Sequence, residues 1–198
     1  ILSGLVGSEM CIRDRFYIKV DSTQRALRDL AKYYKKKFPI PVVALTGSVG
    51  KTTTKDMVAA VLGEKYRVLK TEGNLNNEIG VPMTLLRLSG EHEIAVLELG
   101  MNHAGEIDYL SALVEPDVVL MTNIGDSHIE HFGSREKILE AKSEIFHHVK
   151  SGAFVVINGD DPLLNTLPGK LPYAFTRVGA GEGPVSYTHL TLPTKRIV

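Results

Sequence analysis

A lysine flanked by glycines and hydroxyls stands at Thr46-Gly47-Ser48-Val49-Gly50-Lys51-Thr52-Thr53, and this spacing suits phosphate chemistry. Gly47 and Gly50 let backbone amides approach phosphate oxygens with no Cβ in the way. Those amides and a following helix N-terminus favour an anion. Lys51 can reach the β- and γ-phosphates of a nucleotide, and the Thr52 hydroxyl can ligate Mg2+. The usual pattern places another glycine five residues before Gly50. Here Leu45 stands there and the glycine is at 47, so the loop is a variant. A tight strand–helix turn that merely carries Gly-Lys-Thr is the bland alternative, and the elements on either side argue against it.

Three more residues invite chemistry, each beside a plainer explanation. Glu98 ends an apolar run (Ile94, Val96, Leu97, Leu99), so its carboxylate must be paired or solvated at the strand end. On residues alone the two stand level. His128 follows Asn123-Ile124-Gly125-Asp126 in a loop, where a histidine is more often a surface residue than a ligand. Asn123 and Asp126 are candidates to orient a ligand beside it. His131 is a weaker candidate, for loop support. Lys142 falls on the apolar face marked by Ile138, Ile145 and Val149. Such a lysine either snorkels out, pairs with Glu140 or Glu144, or is sheltered with a depressed pKa and a reactive neutral amine. Asn74, Asn76 and Asn77 precede a helix, and Asn158 with Asp160 and Asp161 precedes another. Turn formation and capping are their ordinary uses.

These residues need a frame, and the chain supplies an alternating one. Apolar runs fall at 42–46, 94–99, 117–122 and 153–158, with a weaker one at 67–70. Helical periods fall between them at about 51–63, 79–88, 104–114 and 134–149. Val/Ile/Leu strands alternating with helices imply an α/β fold, a mostly parallel sheet with helices on both faces. Ligands bind such sheets at the carboxyl ends of strands, where the polar residues above collect. Upstream, Asp21-Ser22-Thr23 can cap a helix to about Lys37, with Ala26, Leu27, Leu30, Ala31 and Tyr34 as its apolar stripe. Lys35-Lys36-Lys37 reads as a solvated helix end.

Composition narrows the class. Lys plus Arg and Asp plus Glu both number 23, so no basic excess points to nucleic acid. No stretch approaches the roughly 18 apolar residues of a membrane span. A single cysteine, Cys11, excludes an internal disulfide and fits a reducing compartment. Residues 1–15 show no sustained period, and 186–198 could be a strand that Pro193 interrupts. The ends 1–18 and 185–198 read as foreign to the rest, with ordinary frayed termini as the plainer alternative.

Taken together, TGSVGKTTTK, EGNLNNEIGVP, ELGMNHAGEI, TNIGDSHIEHFGS, AKSEIF and NGDDP resemble, in order, the motifs of the Mur ligase family. The resemblance covers roughly residues 19–184. It implies a P-loop NTPase-like central ATP-binding domain over 41–184, with 19–40 as the lead-in from an N-terminal uridine-nucleotide domain. The EGNLNNEIGVP and GMNHAGEI segments resemble the members that join D-alanyl-D-alanine to UDP-N-acetylmuramoyl-tripeptide.

The resemblance also implies roles. ATP would lie on Thr46 to Thr53, with Asn123 and Asn158 at the nucleotide, the latter on the adenine side. Of two Mg2+ ions, Thr52 and Glu98 would hold one, and His128 and a carbamylated Lys142 the other. Asn74, Asn76 and Asn77 would contact the uridine-linked substrate, and Asn102 and His103 would line the peptide channel. The expected setting is the bacterial cytoplasm and the expected state a monomer. Competing readings are a relative joining another amino acid, a P-loop NTPase switch or transport protein, and a nucleotide-binding module without chemistry of its own.

Overall fold

The five apolar runs become short strands, a sixth strand joins them, and every pairing among the six is parallel. The computed structural model describes residues 18–180. The reading of both chain ends as foreign falls outside these residues, apart from Ile18. In chain order the elements are α1 (Thr23–Lys35), β1 (Val42–Thr46), α2 (Lys51–Gly63), β2 (Val68–Lys70), α3 (Gly80–Leu85), β3 (Ile94–Glu98) and α4 (Glu106–Val114). They continue with β4 (Val118–Met121), α5 (Ile129–Phe132), α6 (Arg135–Ser143), a 3-10 turn (Glu144–His148), β5 (Phe154–Asn158), a second 3-10 turn (Leu164–Thr166) and β6 (Ala174–Val178). Among the described residues no helix is long and apolar enough to cross a membrane.

The strand order is β2-β3-β1-β4-β5-β6. Strand alternation sends Val43, Leu45 and Val96 to one face, where they pack with Ala59 of α2. Val42, Ala44, Ala95, Leu97, Val119, Val155 and Ile157 go to the other face, into a larger core with Leu85, Leu110 and Ile138. The sheet therefore carries helices on both faces, as its continuous apolar strands require. After β1 the chain turns toward β2 at one edge, and after β4 it turns the opposite way, to β5 and then β6. The crevice between β1 and β4 is thus a topological switch point, and the loops after both strands open onto it.

Several local expectations change. α1 is capped by Ser22, whose hydroxyl accepts from the Arg25 amide at 3.3 Å. Its stripe is rotated: Leu30 is exposed, while Lys35 is buried. Lys35 is not a solvated helix end. Its ammonium donates to the Val114 carbonyl and lies 3.6 Å from Glu115, while Lys32 donates to the Ala112 carbonyl at 2.8 Å. Two lysines thus cap the carbonyl end of α4, where the helix dipole favours cations. Burial pulls the Lys35 pKa down from its ordinary value, with Glu115 opposing.

The single helix expected over 134–149 is α6 followed by a 3-10 turn. The Ile145 carbonyl in that turn accepts a tertiary bond from the Ser111 hydroxyl at 2.7 Å. β6 pairs with β5 but carries no continuous apolar run, being a half-buried edge strand, so periodicity did not mark it.

Candidate nucleotide and metal site

The Thr46–Thr53 loop leaves β1 and enters α2 through Gly50, whose φ of 77° lies in the left-handed region. Gly47 faces Thr122 so closely that a Cβ would sit 1.9 Å from its Oγ1. The neighbouring loop after β4 braces this one. Ser48 donates its amide to the Asn123 carbonyl at 3.0 Å, and Val49 donates to Asn123 Oδ1 at 2.9 Å. The Gly125 amide donates to Ser48 Oγ at 2.9 Å, and Thr122 Oγ1 to the Val49 carbonyl at 2.7 Å.

Asn123, expected at the nucleotide, is therefore a strut of the loop that would hold it. Because Ser48 and Val49 have these partners, the amides left facing an anion are those at the N-terminus of α2. The first amides of a helix have no partner within it. That gives Gly50, Lys51, Thr52 and Thr53 as the cradle. The Thr46 side chain is wholly buried, and its hydroxyl has no partner among the described residues.

Lys51 bends over its own loop, with Nζ donating to the carbonyls of Gly47 at 2.9 Å and Ser48 at 3.2 Å. Burial lowers its pKa, and the Glu98 carboxylate counters that. Glu98 is not a solvated strand end, since it is only 1% exposed. Its two oxygens are taken separately: Thr52 Oγ1 donates to Oε2 at 3.0 Å, and Asn76 Nδ2 donates to Oε1 at 2.7 Å. Its amide is held by the Thr71 hydroxyl at 3.0 Å, a contact that no spacing in the sequence announced.

The oxygens of Thr52 and Glu98 suit Mg2+. Adjacent ligands of an octahedral ion with bonds of about 2.0–2.1 Å stand about 3 Å apart. This pair already has that separation, in oxygen chemistry that the ion prefers. For a second ion the donor set is thinner. Among the described residues no group of three or more His, Cys, Asp or Glu side chains could hold a metal.

Lys142 neither snorkels nor pairs with Glu140 or Glu144. It is 2% exposed, and its pKa falls to about 8, first because burial strips its water and second because Lys51 repels it. Glu144 instead accepts from the amides of Gly105 at 2.8 Å and Asp108 at 3.1 Å. It thereby ties the 102–105 loop to the helix that carries Lys142.

His128 has a φ of 66° and begins α5. It lines a polar cavity with Lys51, Asn74, Asn76, Asn77 and Asn102. Its ring stacks on His131, centroids 6.5 Å apart, and His131 lies 5.4 Å from His103. Asp126, a candidate to orient a ligand near His128, has its carboxylate engaged elsewhere. It forms a two-bond pair with exposed Arg135 at 2.7 and 2.6 Å, which holds its carboxyl below the ordinary range.

Asn77 caps the next helix, its Oδ1 accepting from the Gly80 amide at 2.9 Å. Asn158 accepts from the Asp160 amide at 2.9 Å. It also borders a mainly apolar cavity lined by Thr54, Leu120, Val156 and Val178, on the sheet face that α2 leaves open. Asp161 is buried and reaches back into the site. It accepts from the Ile124 amide at 2.7 Å and from Leu163 and Leu164 at 2.9 Å each.

Comparison with known proteins identifies the family. The family model described as Mur ligase middle domain matches residues 45–186. The chain is 54% identical over 147 residues to a UDP-N-acetylmuramoyl-tripeptide–D-alanyl-D-alanine ligase of Bacillus subtilis, covering 74% of this chain and 32% of that protein. It is 46% identical over 142 residues to the Escherichia coli protein of the same name, covering 72% of this chain and 31% of the relative. Among solved structures it superimposes with a TM-score of 0.77 on a MurF ligase from Thermotoga maritima in complex with ADP. That match has 37% identity and covers 85% of this chain and 40% of the other. The chain thus spans about a third of the length of these curated relatives. With the phosphate loop, the buried strand-end carboxylate and the sheltered lysine in place, the chain belongs to the Mur ligase family and carries its middle domain.

Proposed function

We propose that this domain binds ATP for a cytoplasmic bacterial ligase that joins D-alanyl-D-alanine to UDP-N-acetylmuramoyl-tripeptide. The observation that carries this reading is the convergence of Lys51, Thr52 and buried Glu98 at the carboxyl ends of β1 and β3, with buried Lys142 within the Coulombic reach of Lys51. The names of the relatives at 54% and 46% identity supply the choice of substrates. Because the matched segment is about a third of the relatives' length, the activity is assigned to the ligase that contains this domain.

The chemistry sets two anions against each other. The tripeptide carboxylate attacks the γ-phosphorus of ATP, forming an acyl phosphate as the bond to the ADP oxygen breaks. The neutral amine of D-alanyl-D-alanine then adds to the acyl carbon, loses its proton and expels phosphate. The main task of the residues is to neutralise the charge that gathers during the first step.

The amides of Gly50 to Thr53 and the ammonium of Lys51 would take the β- and γ-phosphates. Thr52 and Glu98 would hold one Mg2+, which supplies positive charge at the γ-phosphate. His128 and Lys142 would hold a second. A lysine whose pKa is about 8 has an appreciable neutral fraction near neutrality. Reaction of that amine with CO2 gives a carbamate, an oxygen ligand where the protein otherwise offers a cation. The apolar cavity beside Asn158 would take the adenine. The cavity of Asn74, Asn76, Asn77, Asn102 and His128 would face the peptide substrate, with His103, next to Asn102 in the chain, nearby.

The test is phosphate release by the complete ligase. Release should require ATP, the UDP-linked tripeptide and D-alanyl-D-alanine together, and Lys51→Ala should abolish it. Hydrolysis of ATP at full rate with neither co-substrate present would refute the assignment.

A further inference from the structure

Asn76 sits in the loop that faces the peptide substrate, yet its side chain turns to the carboxylate beneath. Its amide donates to Glu98 Oε1 at 2.7 Å, while Oε2 faces the Thr52 hydroxyl at 3.0 Å. Its backbone is fastened as well: the Gly100 amide donates to the Asn76 carbonyl at 2.8 Å. Gly100 leaves no slack, because a Cβ there would lie 2.8 Å from Asn76 Cγ and 2.9 Å from its Oδ1. An amide suits this place because it donates strongly to a carboxylate without neutralising it. A lysine would cancel the charge a cation needs, and an acid would repel the carboxylate.

We propose that Asn76 is a positioning residue for Glu98, holding Oε1 so that Oε2 stays aimed at the metal beside Thr52. The proposal rests on the Mg2+-nucleotide reading above. It also joins two sites, since Asn74 and Asn77 on either side of Asn76 line the cavity that contains Lys51 and His128. Displacement of the 74–77 loop would then move the carboxylate of the metal site.

The experiment titrates Mg2+ into the full chain with a fluorescent ADP analogue and repeats the binding in EDTA. Asn76→Ala is expected to raise the Mg2+ concentration at half-saturation about tenfold, while metal-free binding stays within about twofold. Gly100→Ala, which crowds the amide off Glu98, should act the same way. Glu98→Ala should remove the Mg2+ dependence, and adding Asn76→Ala to it should change nothing more, because a residue acting through Glu98 then has nothing to act on. An unchanged Mg2+ requirement in both Asn76→Ala and Gly100→Ala overturns the proposal, as does a further additive loss in the double variant. A matching loss of metal-free binding and thermal stability in Asn76→Ala marks a merely structural residue and overturns it too. If the unmutated chain binds the analogue without any Mg2+ dependence, the metal reading itself fails and takes this proposal with it.

Discussion

The Thr52 hydroxyl donates to Glu98 Oε2 across 3.0 Å, joining the first turn of α2 to the end of β3. The two residues are 46 positions apart in the chain, and the parallel pairing of β1 with β3 places Leu45 opposite Glu98. A hydroxyl and a carboxylate at that separation would suit adjacent ligands of a Mg2+ ion. Glu98→Gln keeps the shape and removes the charge. Mg2+-dependent ADP binding should weaken at least about tenfold, with thermal stability nearly unchanged. Calorimetry with and without Mg2+ checks this, and equal Mg2+ enhancement in the variant would count against Glu98 as a ligand.

The two loop glycines should behave differently when a methyl is added. A Cβ at Gly47 meets Thr122 Oγ1 at 1.9 Å, whereas nothing lies within 4 Å of one at Gly50. Gly50→Ala then carries mainly the left-handed backbone strain, of about 1 kcal/mol. Gly47→Ala adds a collision between two loops that brace each other, and about 1–3 kcal/mol more is expected. Urea unfolding of both variants should rank Gly47→Ala as the more damaging.

Asp161 lies on the rim of the fold but supports its centre. Its removal orphans the amides of Ile124, Leu163 and Leu164. Asp161→Ala should cost about 2–4 kcal/mol in urea unfolding, more than an ordinary lost cap. It should also weaken ADP binding, because Ile124 belongs to the loop that braces Ser48 and Val49. Stability loss with no change in ADP affinity would separate Asp161 from the site.

Lys142 makes stability depend on pH in a defined window. Its pKa in the folded protein is about 8 against an ordinary 10.5. Below pH 8 both folded and unfolded forms carry the charge, and the burial penalty is present in full. Between 8 and 10.5 the unfolded chain holds the extra proton, so stability rises with pH. Lys142→Met has no such penalty. In metal-free, CO2-free buffer it should be the more stable protein at pH 7, with the gap closing as pH rises toward 10.5. A gap constant from pH 7 to 10 would contradict the depressed pKa.

The candidate residues themselves were largely legible in the chain, and their duties were less so. Asn123 was expected at the nucleotide from the family resemblance, and on residues alone as support for a neighbouring ligand. Only the folded loop shows its carboxamide already engaged with Val49. Asp126 was a candidate to orient the metal site, and only the folded loop shows Arg135, nine residues on, returning to its carboxylate through the α5–α6 turn. Sequence distance is a poor guide in a loop, because side-chain direction there follows dihedral angles that no period fixes.

What the sequence by itself determined is the alternation of strand and helix and the phosphate loop at their first junction. Both follow from local physics: apolar runs must be buried, and glycine alone tolerates the turn between Thr46 and Lys51. The tertiary structure decided which polar groups became charges without water. Glu98, Lys35 and Lys142 each had a solvated reading that their neighbours in sequence allowed. Glu98 and Lys35 lost it because a distant element, the 71–76 loop or the end of α4, closed against them, and Lys142 because α6 packs against α4 and α5. Burial is a property of the packed layers, and it turned an ordinary carboxylate and an ordinary lysine into a candidate metal site.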